Sequence, residues 1–209
     1  MSIDLADVRA VLLDMDGTLI ASDGPVERAW KAWAARFGVA EAAAMAAAHG
    51  GPAAGTVRRL APHLSDDEVV EAAQLQLRLQ YDDLVDVTAA RGARELLAVL
   101  GRRRLPWAVV TSADRRLAAA RLRAGGIDPP VLVTDDDIEH GKPHPDGYLA
   151  AAARVGVAPA HCLVVEDSAV GISAGTAAGM SVAALRGLAA DFSIAHLGEL
   201  ADLLDADAG

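Results

Sequence analysis

An uninterrupted apolar run, AVLL at residues 10–13, leads directly into two carboxylates separated by one residue, Asp14 and Asp16. Successive side chains of a strand point to opposite faces, so a fully apolar run predicts a strand that is buried on both faces of a parallel sheet. Ligands bind at the carboxyl ends of the strands in such sheets. We therefore expect Asp14 to lie at the sheet edge that carries the functional site.

Segments of helical and strand character alternate in the second half of the chain. Four short runs rich in apolar residues follow residue 90, at 107–110, 131–133, 162–165 and 181–184, with helical patterns between them. This alternation is typical of βα units that build a parallel sheet with helices on its faces. The sequence therefore predicts an α/β fold.

The segment between the first strand and this alternation has no strand-like run and reads as helical throughout. Ser65 with Glu68 three positions later has the form of a capping box, which opens a helix. We expect an α/β core formed by residues 1–21 and 90–209, interrupted by an all-helical domain at residues 22–89.

The first helix of this insertion has its own start and stop signals. Ser22 or Asp23 is suited to the N-cap position, Pro25 would lie in the first turn, and Gly38 would end the helix. Trp30 and other apolar side chains would then share one face of the helix.

Composition and charge exclude several classes of function. Nineteen basic against 29 acidic residues give a formal net charge of −10, which repels polyphosphate backbones, so we expect no nucleic acid partner. The single cysteine, Cys162, excludes an internal disulfide and fits a reducing compartment. The alanine-rich tract at 42–54 is too weakly apolar for a membrane span. We expect a cytoplasmic monomer without a membrane partner.

Polar residues at four predicted strand ends would meet at one edge of the sheet, because right-handed crossovers carry all parallel strands in the same direction. Three or more converging carboxylates repel one another unless a cation lies between them, and oxygen ligands of this kind suit Mg²⁺. Lysine and hydroxyl groups are natural phosphate binders. These residues are Asp14 and Asp16, Ser112, Lys142, and Glu166 with Asp167.

The four segments together resemble the motifs of the haloacid dehalogenase superfamily of phosphatases. In order, they are DMDGT at 14–18, TSA at 111–113, Lys142 within GKPHP at 141–145, and EDS at 166–168 followed by Gly171. The resemblance spans nearly the whole chain. It implies a Rossmann-like core of parallel sheet and flanking helices, with the helical insertion serving as a small cap domain.

The resemblance also implies a two-step phosphoryl transfer. Asp14 would be the nucleophile that forms an aspartyl-phosphate, and Asp16 the general acid and then the general base. Asp14, the main-chain carbonyl of Asp16 and the side chain of Asp167 would hold Mg²⁺. Dehalogenase members lack an acid at the Asp16 position, since a halide leaves without a proton, so Asp16 indicates phosphate esters as substrates.

The remaining motif residues have supporting roles in this interpretation. Ser112 and the main-chain amide of Ala113 would bind the phosphoryl group, and Lys142 would offset the charge of nucleophile and phosphate together. Glu166 and Thr18 are expected to lie behind these groups and to orient them.

The insertion resembles, less specifically, the caps of sugar-phosphate, polyol-phosphate and glycerol-phosphate phosphatases. Such a cap closes over the site and contacts the organic part of a small phosphorylated metabolite. For Trp30 and Trp33, packing inside the insertion is the favoured interpretation. The expected substrate contacts are Glu27, Arg28 and His49, and Trp30 is to be tested together with them.

Two other functions remain as alternatives to a phosphatase. A hexose phosphomutase of the same superfamily would use the same core, but its cap often carries an arginine shortly after a glycine, which the segment GGPA at 50–53 does not offer. A non-catalytic protein that binds phosphorylated metabolites would be expected to have lost an acid, the lysine or a metal ligand. This chain retains all of them.

Overall fold

A six-stranded parallel sheet forms the centre of the computed structural model, which describes residues 5–48 and 51–206. The strands in the described part of the chain, including two outside this sheet, are β1 (Ala10–Asp14), β2 (Ile20–Ala21), β3 (Thr88–Ala89), β4 (Trp107–Val110), β5 (Leu132–Val133), β6 (Cys162–Glu166), β7 (Ser181–Ala184) and β8 (Phe192–Ser193). The order in the sheet is β5-β4-β1-β6-β7-β8, and β2 pairs with β3 separately. The α/β fold predicted from the sequence is confirmed.

Helices lie on both faces of the sheet and between β2 and β3. They are α1 (Asp23–Phe37), α2 (Glu41–Ala46), α3 (Ala53–Leu60), α4 (Asp66–Tyr81), α5 (Ala93–Arg103), α6 (Arg115–Gly125), α7 (Asp146–Val155), α8 (Ala169–Ala177) and α9 (Leu197–Ala206). The side chains of α5, α6 and α9 pack into the core on one face, and those of α7 and α8 into the core on the other. Within the described ranges, every helix lacks the length or apolar character needed to cross a bilayer.

Strand β1 is central, and both of its faces are buried. It pairs in parallel with β4 on one side and β6 on the other. Val11 and Leu13 belong to the core on one face, whereas Ala10 and Leu12 belong to the core on the opposite face. This division is the physical reason for the uninterrupted apolar run, and it places Asp14 at the carboxyl end of the strand.

The helices α1 to α4 enclose a separate core of their own. Trp33 on α1 is fully buried there, and its indole nitrogen donates to the main-chain carbonyl of Ala72 on α4, with 3.0 Å between the two atoms. Trp33 also lies edge-on to Trp30, with ring centroids 5.3 Å apart. The packing role favoured for these two tryptophans therefore agrees with the structure.

The expectation that residues 22–89 are entirely helical is wrong at its end. Thr88 and Ala89 form β3, which pairs antiparallel with Ile20 and Ala21. The two segments that connect the insertion to the core run side by side in opposite directions, so their main-chain groups can satisfy one another as a short ladder.

The caps predicted from the sequence are largely present. Ser65 and Glu68 form a reciprocal capping box at the start of α4, and Gly38 ends α1 in the left-handed conformation with φ of 65°. Ser22 occupies the N-cap position of α1, but its hydroxyl does not cap the helix. It donates instead to Oδ1 of Asp16 at 2.7 Å.

Replacing Trp33 with alanine tests whether the insertion depends on this core. We expect the substitution to lower the free energy of unfolding by about 3–5 kcal/mol, because a large buried side chain leaves a cavity and an interhelical hydrogen bond is lost. Val85→Ala is the control, since Val85 is 94% exposed. Urea denaturation followed by circular dichroism measures both changes, and equal losses in the two variants would contradict the packing described here.

Candidate active site

Lys142 joins two carboxylates that come from different strands of the sheet. Its Nζ lies 2.5 Å from Oδ1 of Asp14 and 2.6 Å from Oε1 of Glu166, and it also donates to the carbonyl of Val110 at 3.3 Å. Asp14 ends β1, Glu166 ends β6 and Val110 ends β4. The structure thus brings together Lys142, Asp14 and Glu166, as the sequence predicted. Lys142 does not lie at a strand end as expected, however, but in the loop between β5 and α7.

These charges are buried, and their pKa values are strongly perturbed. Burial and the neighbouring Glu166 carboxylate raise the pKa of Asp14 well above its usual range, and the Lys142 charge opposes this shift only in part. Burial lowers the pKa of Lys142, but the charges of Asp14 and Glu166 outweigh burial and leave that pKa raised. The lysine therefore remains protonated and offsets part of the negative charge at this edge of the sheet.

Glu166 is completely buried, and both of its carboxylate oxygens are occupied by donors. Oε1 accepts from Lys142 and from the Tyr148 hydroxyl at 2.7 Å. Oε2 accepts from the amides of Asp167 and Ser168 and from the Ser168 hydroxyl. A carboxylate held in this way can orient Lys142, but has little capacity left for a ligand of its own. This geometry agrees with the supporting role expected for Glu166.

The site has the composition of a divalent cation site. Carboxylate oxygens of Asp14, Glu166 and Asp167 all lie within 4.8 Å of one another. Because Glu166 is fully engaged, Asp14 and Asp167 are the carboxylates available to a cation. Burial and the Glu166 charge raise the pKa of Asp167 to about 6, against the opposing charge of Arg186, whose Nε lies 2.7 Å from Oδ2 of Asp167. A bound cation would relieve this repulsion, and oxygen ligands suit Mg²⁺.

The absence of a side chain at Gly17 leaves room for the Asp167 carboxylate. Gly17 has φ of +83°, and a Cβ at this position would overlap the Asp167 carboxylate. Only glycine satisfies both the conformation and the close approach. The glycine of the DMDGT segment therefore lets the two acidic strand ends come together.

Two of the three expected phosphate-binding residues, Ser112 and Ala113, line a pocket together with Asp14. The third, Lys142, does not line this pocket but contacts Asp14. Oγ of Ser112 is buried and has no hydrogen-bond partner among the residues that the structure describes, so its hydrogen-bonding capacity is unused. The amide of Ala113 donates to the Thr111 hydroxyl at 3.1 Å, so a phosphoryl oxygen would have to replace this contact.

Thr18 does not support the neighbouring groups by a hydrogen bond. Its hydroxyl oxygen is buried and finds no partner within residues 5–48 and 51–206. The residue is 1% exposed. Thr18 is therefore a buried residue of the loop between β1 and β2.

Asp16 is turned toward the insertion. Its Oδ1 accepts from the Ser22 hydroxyl at 2.7 Å and pairs with Nη1 of Arg121 at 2.6 Å. Ser22 was predicted as a helix cap, and Arg121 was not singled out at all. An arginine within the helix α6 carries no local signal of such a role, since its importance arises only when α6 packs beside the loop after β1.

Two of the three substrate contacts expected from the insertion do not line the pocket, and the structure corrects them. Glu27 is exposed on α1. Arg28 is also exposed, and its guanidinium is held by the carboxylates of Asp83 and Asp86. The third, His49, lies outside the described residues. Residues of the insertion that do line the pocket are Val26, Trp30, Ala48, Gly51, Ala53, Gln76, Leu77 and Gln80.

Gln76 and Gln80 are pocket residues that the sequence did not reveal. Both are buried on α4, and the amide nitrogen of Gln80 donates to Oε1 of Gln76 at 2.7 Å. Two glutamines four positions apart would have been a weak signal, because polar residues at this spacing usually lie on the solvent face of a helix. Tyr148 and Arg186 also gave no local signal, because their hydrogen-bond partners, Glu166 and Asp167, are distant in sequence.

The model of the haloacid dehalogenase-like hydrolase family matches residues 8–179. This match covers all four motifs. The chain therefore belongs to the haloacid dehalogenase-like hydrolase family, and its α/β fold and the grouping of Asp14, Lys142 and Asp167 agree with the membership.

Relatives of known activity and a solved structure are similar over most of the chain. Hexitol phosphatase A of Escherichia coli K12 is 38% identical over 178 residues, which cover 85% of this chain and 82% of that protein. Validoxylamine A 7'-phosphate phosphatase of Streptomyces hygroscopicus subsp. limoneus is 36% identical over 82% and 83% of the two chains. A hydrolase from Pseudomonas syringae superposes with a TM-score of 0.85 at 25% identity, covering 94% of this chain and 98% of its own.

Gly171→Ala tests the position of Glu166. The added Cβ would overlap the Glu166 carboxylate, so we expect the lysine and both carboxylates to be displaced and the free energy of unfolding to fall by about 1–3 kcal/mol. Gly55→Ala is the matched control, because Gly55 is also helical and has open space around it. That substitution should stabilise by up to about 1 kcal/mol. Thermal and urea unfolding measure both variants, and a stabilised Gly171→Ala protein would contradict the arrangement.

Proposed function

We propose that this protein is a Mg²⁺-dependent phosphomonoester hydrolase that acts on a small phosphorylated sugar, polyol or glycerol through an aspartyl-phosphate. The observation that carries this proposal is the buried contact of Lys142 with Asp14 at the end of β1, next to Asp167. Family membership supports the chemistry. The relatives named for hexitol and validoxylamine phosphates support a polyhydroxylated substrate.

In the first step, an oxygen of Asp14 would attack phosphorus in line with the departing alkoxide. The bond between Asp14 and phosphorus forms as the ester bond breaks, and Asp16 gives its proton to the leaving oxygen. In the second step, Asp16 takes a proton from water, which attacks phosphorus and releases Asp14 and inorganic phosphate.

Charge compensation would come from several groups around the phosphoryl oxygens. Lys142 offsets the charge of Asp14, while the Ser112 hydroxyl and the Ala113 amide would donate to the phosphoryl group. The main-chain carbonyl of Asp16 and the side chains of Asp14 and Asp167 are the proposed ligands of Mg²⁺. When bound, Mg²⁺ would neutralise charge on the transferring phosphoryl oxygens.

The insertion at residues 22–89 is proposed to act as a cap on the core of residues 1–21 and 90–209. It contributes Trp30, Gln76 and Gln80 to the pocket above Asp14, where it would exclude bulk water and contact the organic part of the substrate. The single cysteine and the net charge of −10 fit a cytoplasmic, monomeric enzyme that acts on metabolites rather than on nucleic acid or membranes.

Hydrolysis is favoured over phosphomutase chemistry by the residues of the insertion. A mutase must return the phosphoryl group to a second sugar phosphate, which calls for extra positive charge from the cap. Among the described residues that line the pocket, the only cation is Arg121, and it comes from the core helix α6. A non-catalytic binding role is disfavoured because Asp14, Asp16 and Lys142 are all retained.

A phosphate-release assay tests the proposal. With Mg²⁺ present, we expect inorganic phosphate from sorbitol 6-phosphate, glycerol 1-phosphate or a hexose phosphate, because Asp14 and Lys142 are already in contact. EDTA and Asp14→Asn should each reduce the rate by at least about 100-fold, since the first removes charge compensation and the second removes the nucleophile.

The control is Asp82→Asn, a change of the same kind at a residue that does not line the pocket. It should keep the wild-type rate. Full activity in Asp14→Asn would contradict the proposed mechanism. Interconversion of hexose phosphates without net phosphate release would favour the mutase, and absence of turnover across the panel would favour the non-catalytic role.

A further inference from the structure

Arg121 is a buried cation in a place where the phosphatase mechanism above does not require one. Its side chain is 2% exposed, it lies on α6, and it lines the pocket with Asp14 and Asp16. A guanidinium removed from water is strongly unfavourable unless charged and polar partners replace the lost hydration. The partners of Arg121 therefore indicate why the chain keeps it there.

The guanidinium bridges the core and the insertion. Nη1 pairs with Oδ1 of Asp16 at 2.6 Å, and Nη2 donates to Oε1 of Gln80 on α4. Nε is buried and has no partner within the described residues. Nη1 of the guanidinium thus contacts the proposed general acid, Asp16, and Nη2 contacts Gln80 of the insertion.

The contacts of Gln80 determine the orientation of its side-chain amide. Arginine can only donate, so Gln80 must turn its oxygen toward Arg121 and its amide nitrogen away from it. That nitrogen donates to Oε1 of Gln76, one turn earlier on α4, at 2.7 Å. The two glutamines therefore form an ordered pair that holds Arg121, and all three line the same pocket.

The arrangement at Asp16 is compatible with a role in proton transfer. The Ser22 hydroxyl, which donates a hydrogen bond, and the Arg121 guanidinium, which forms an ion pair, both reach the same oxygen of this carboxylate, Oδ1. No donor to Oδ2 is found within residues 5–48 and 51–206, so this second oxygen can carry the proton that the alkoxide needs. The hydrogen bond and the ion pair at Oδ1 restrict rotation of the carboxyl group, which orients Oδ2.

We propose that Arg121 is a positioning residue that holds Asp16 in its proton-donating orientation only while α4 of the insertion holds Arg121 through Gln80. This inference rests on the proposed phosphatase function. The ion pair makes the orientation of the general acid depend on the position of the insertion. Protonation of the leaving alkoxide is then efficient when the insertion lies over the pocket.

The test uses esters whose leaving groups differ in their need for a proton. Alkoxide release from sorbitol 6-phosphate requires protonation, whereas p-nitrophenolate leaves without it. Single-turnover ester cleavage and steady-state KM are measured for wild type and for Arg121→Met, Arg121→Lys and Gln80→Leu. The control is Arg123→Met, because Arg123 lies on the same helix but is exposed.

For Arg121→Met, we expect cleavage of sorbitol 6-phosphate to slow by about 10- to 100-fold, a part of what a general acid contributes. Cleavage of p-nitrophenyl phosphate should slow by less than about threefold, and KM for sorbitol 6-phosphate should change by less than about threefold. Arg121→Lys should recover part of the rate, since it restores a charge near Oδ1. Gln80→Leu should show the same selectivity for the alkyl ester at smaller magnitude, and Arg123→Met should match wild type.

A double-mutant cycle that combines Arg121→Met with Asp16→Asn measures the energetic coupling between Arg121 and Asp16. If Arg121 acts through Asp16, adding Arg121→Met to Asp16→Asn should cost almost nothing further with sorbitol 6-phosphate. Circular dichroism and thermal unfolding establish that each variant is folded. Should Arg121→Met not fold, Arg121→Lys and Gln80→Leu carry the test with the same two esters.

Four results would overturn the inference. Equal slowing for both esters, or additive effects in the cycle, would mean that Arg121 does not act through the general acid. A rise in KM for sorbitol 6-phosphate at an unchanged cleavage rate would make Arg121 a substrate-binding residue instead. A wild-type protein that releases no phosphate from either ester would overturn the proposed function as well, which separates that failure from the first three.

Discussion

The contact of Lys142 with Asp14 and Glu166 is the interaction on which the rest of the site depends. A lysine and two carboxylates are buried at the carboxyl edge of the sheet, where each would be unfavourable alone. The lysine can offset part of the charge of both carboxylates only if β1, β6 and the loop before α7 are held close together. The all-apolar strand β1, packed between β4 and β6, provides this register. The fold of the core and the charge balance of the site are therefore a single arrangement.

Much of the core could be predicted from the sequence because its signals are local. The apolar run before Asp14 specifies a buried strand, and the direction of parallel strands then brings Lys142 and Asp167 to the same edge. Gly38 and the Ser65 capping box are similarly local, and the structure has both. These predictions depended only on side-chain periodicity, turn chemistry and the order of elements along the chain.

The errors arose where a role depends on contacts between distant segments. Arg28 is basic and follows the first motif closely, but it faces solvent and is neutralised by Asp83 and Asp86. Arg121 and Gln80 enter the pocket because α4 packs near α6, and neither residue type at its position reveals that meeting. Ser22 satisfied the rule for a helix cap, yet its hydroxyl is used by Asp16 instead. Local preference was overridden at that residue by a charged neighbour.

Polar links connect the insertion to the site at more than one point. Ser22 at the start of α1 and Gln80 near the end of α4 both reach the group around Asp16, the second through Arg121. Trapping the phosphorylated enzyme tests the central claim most directly. After brief reaction with sorbitol 6-phosphate and Mg²⁺, borohydride reduction of an aspartyl-phosphate converts the residue to homoserine, which peptide mass spectrometry can locate. The account predicts homoserine at position 14, and its appearance only at another residue would contradict it.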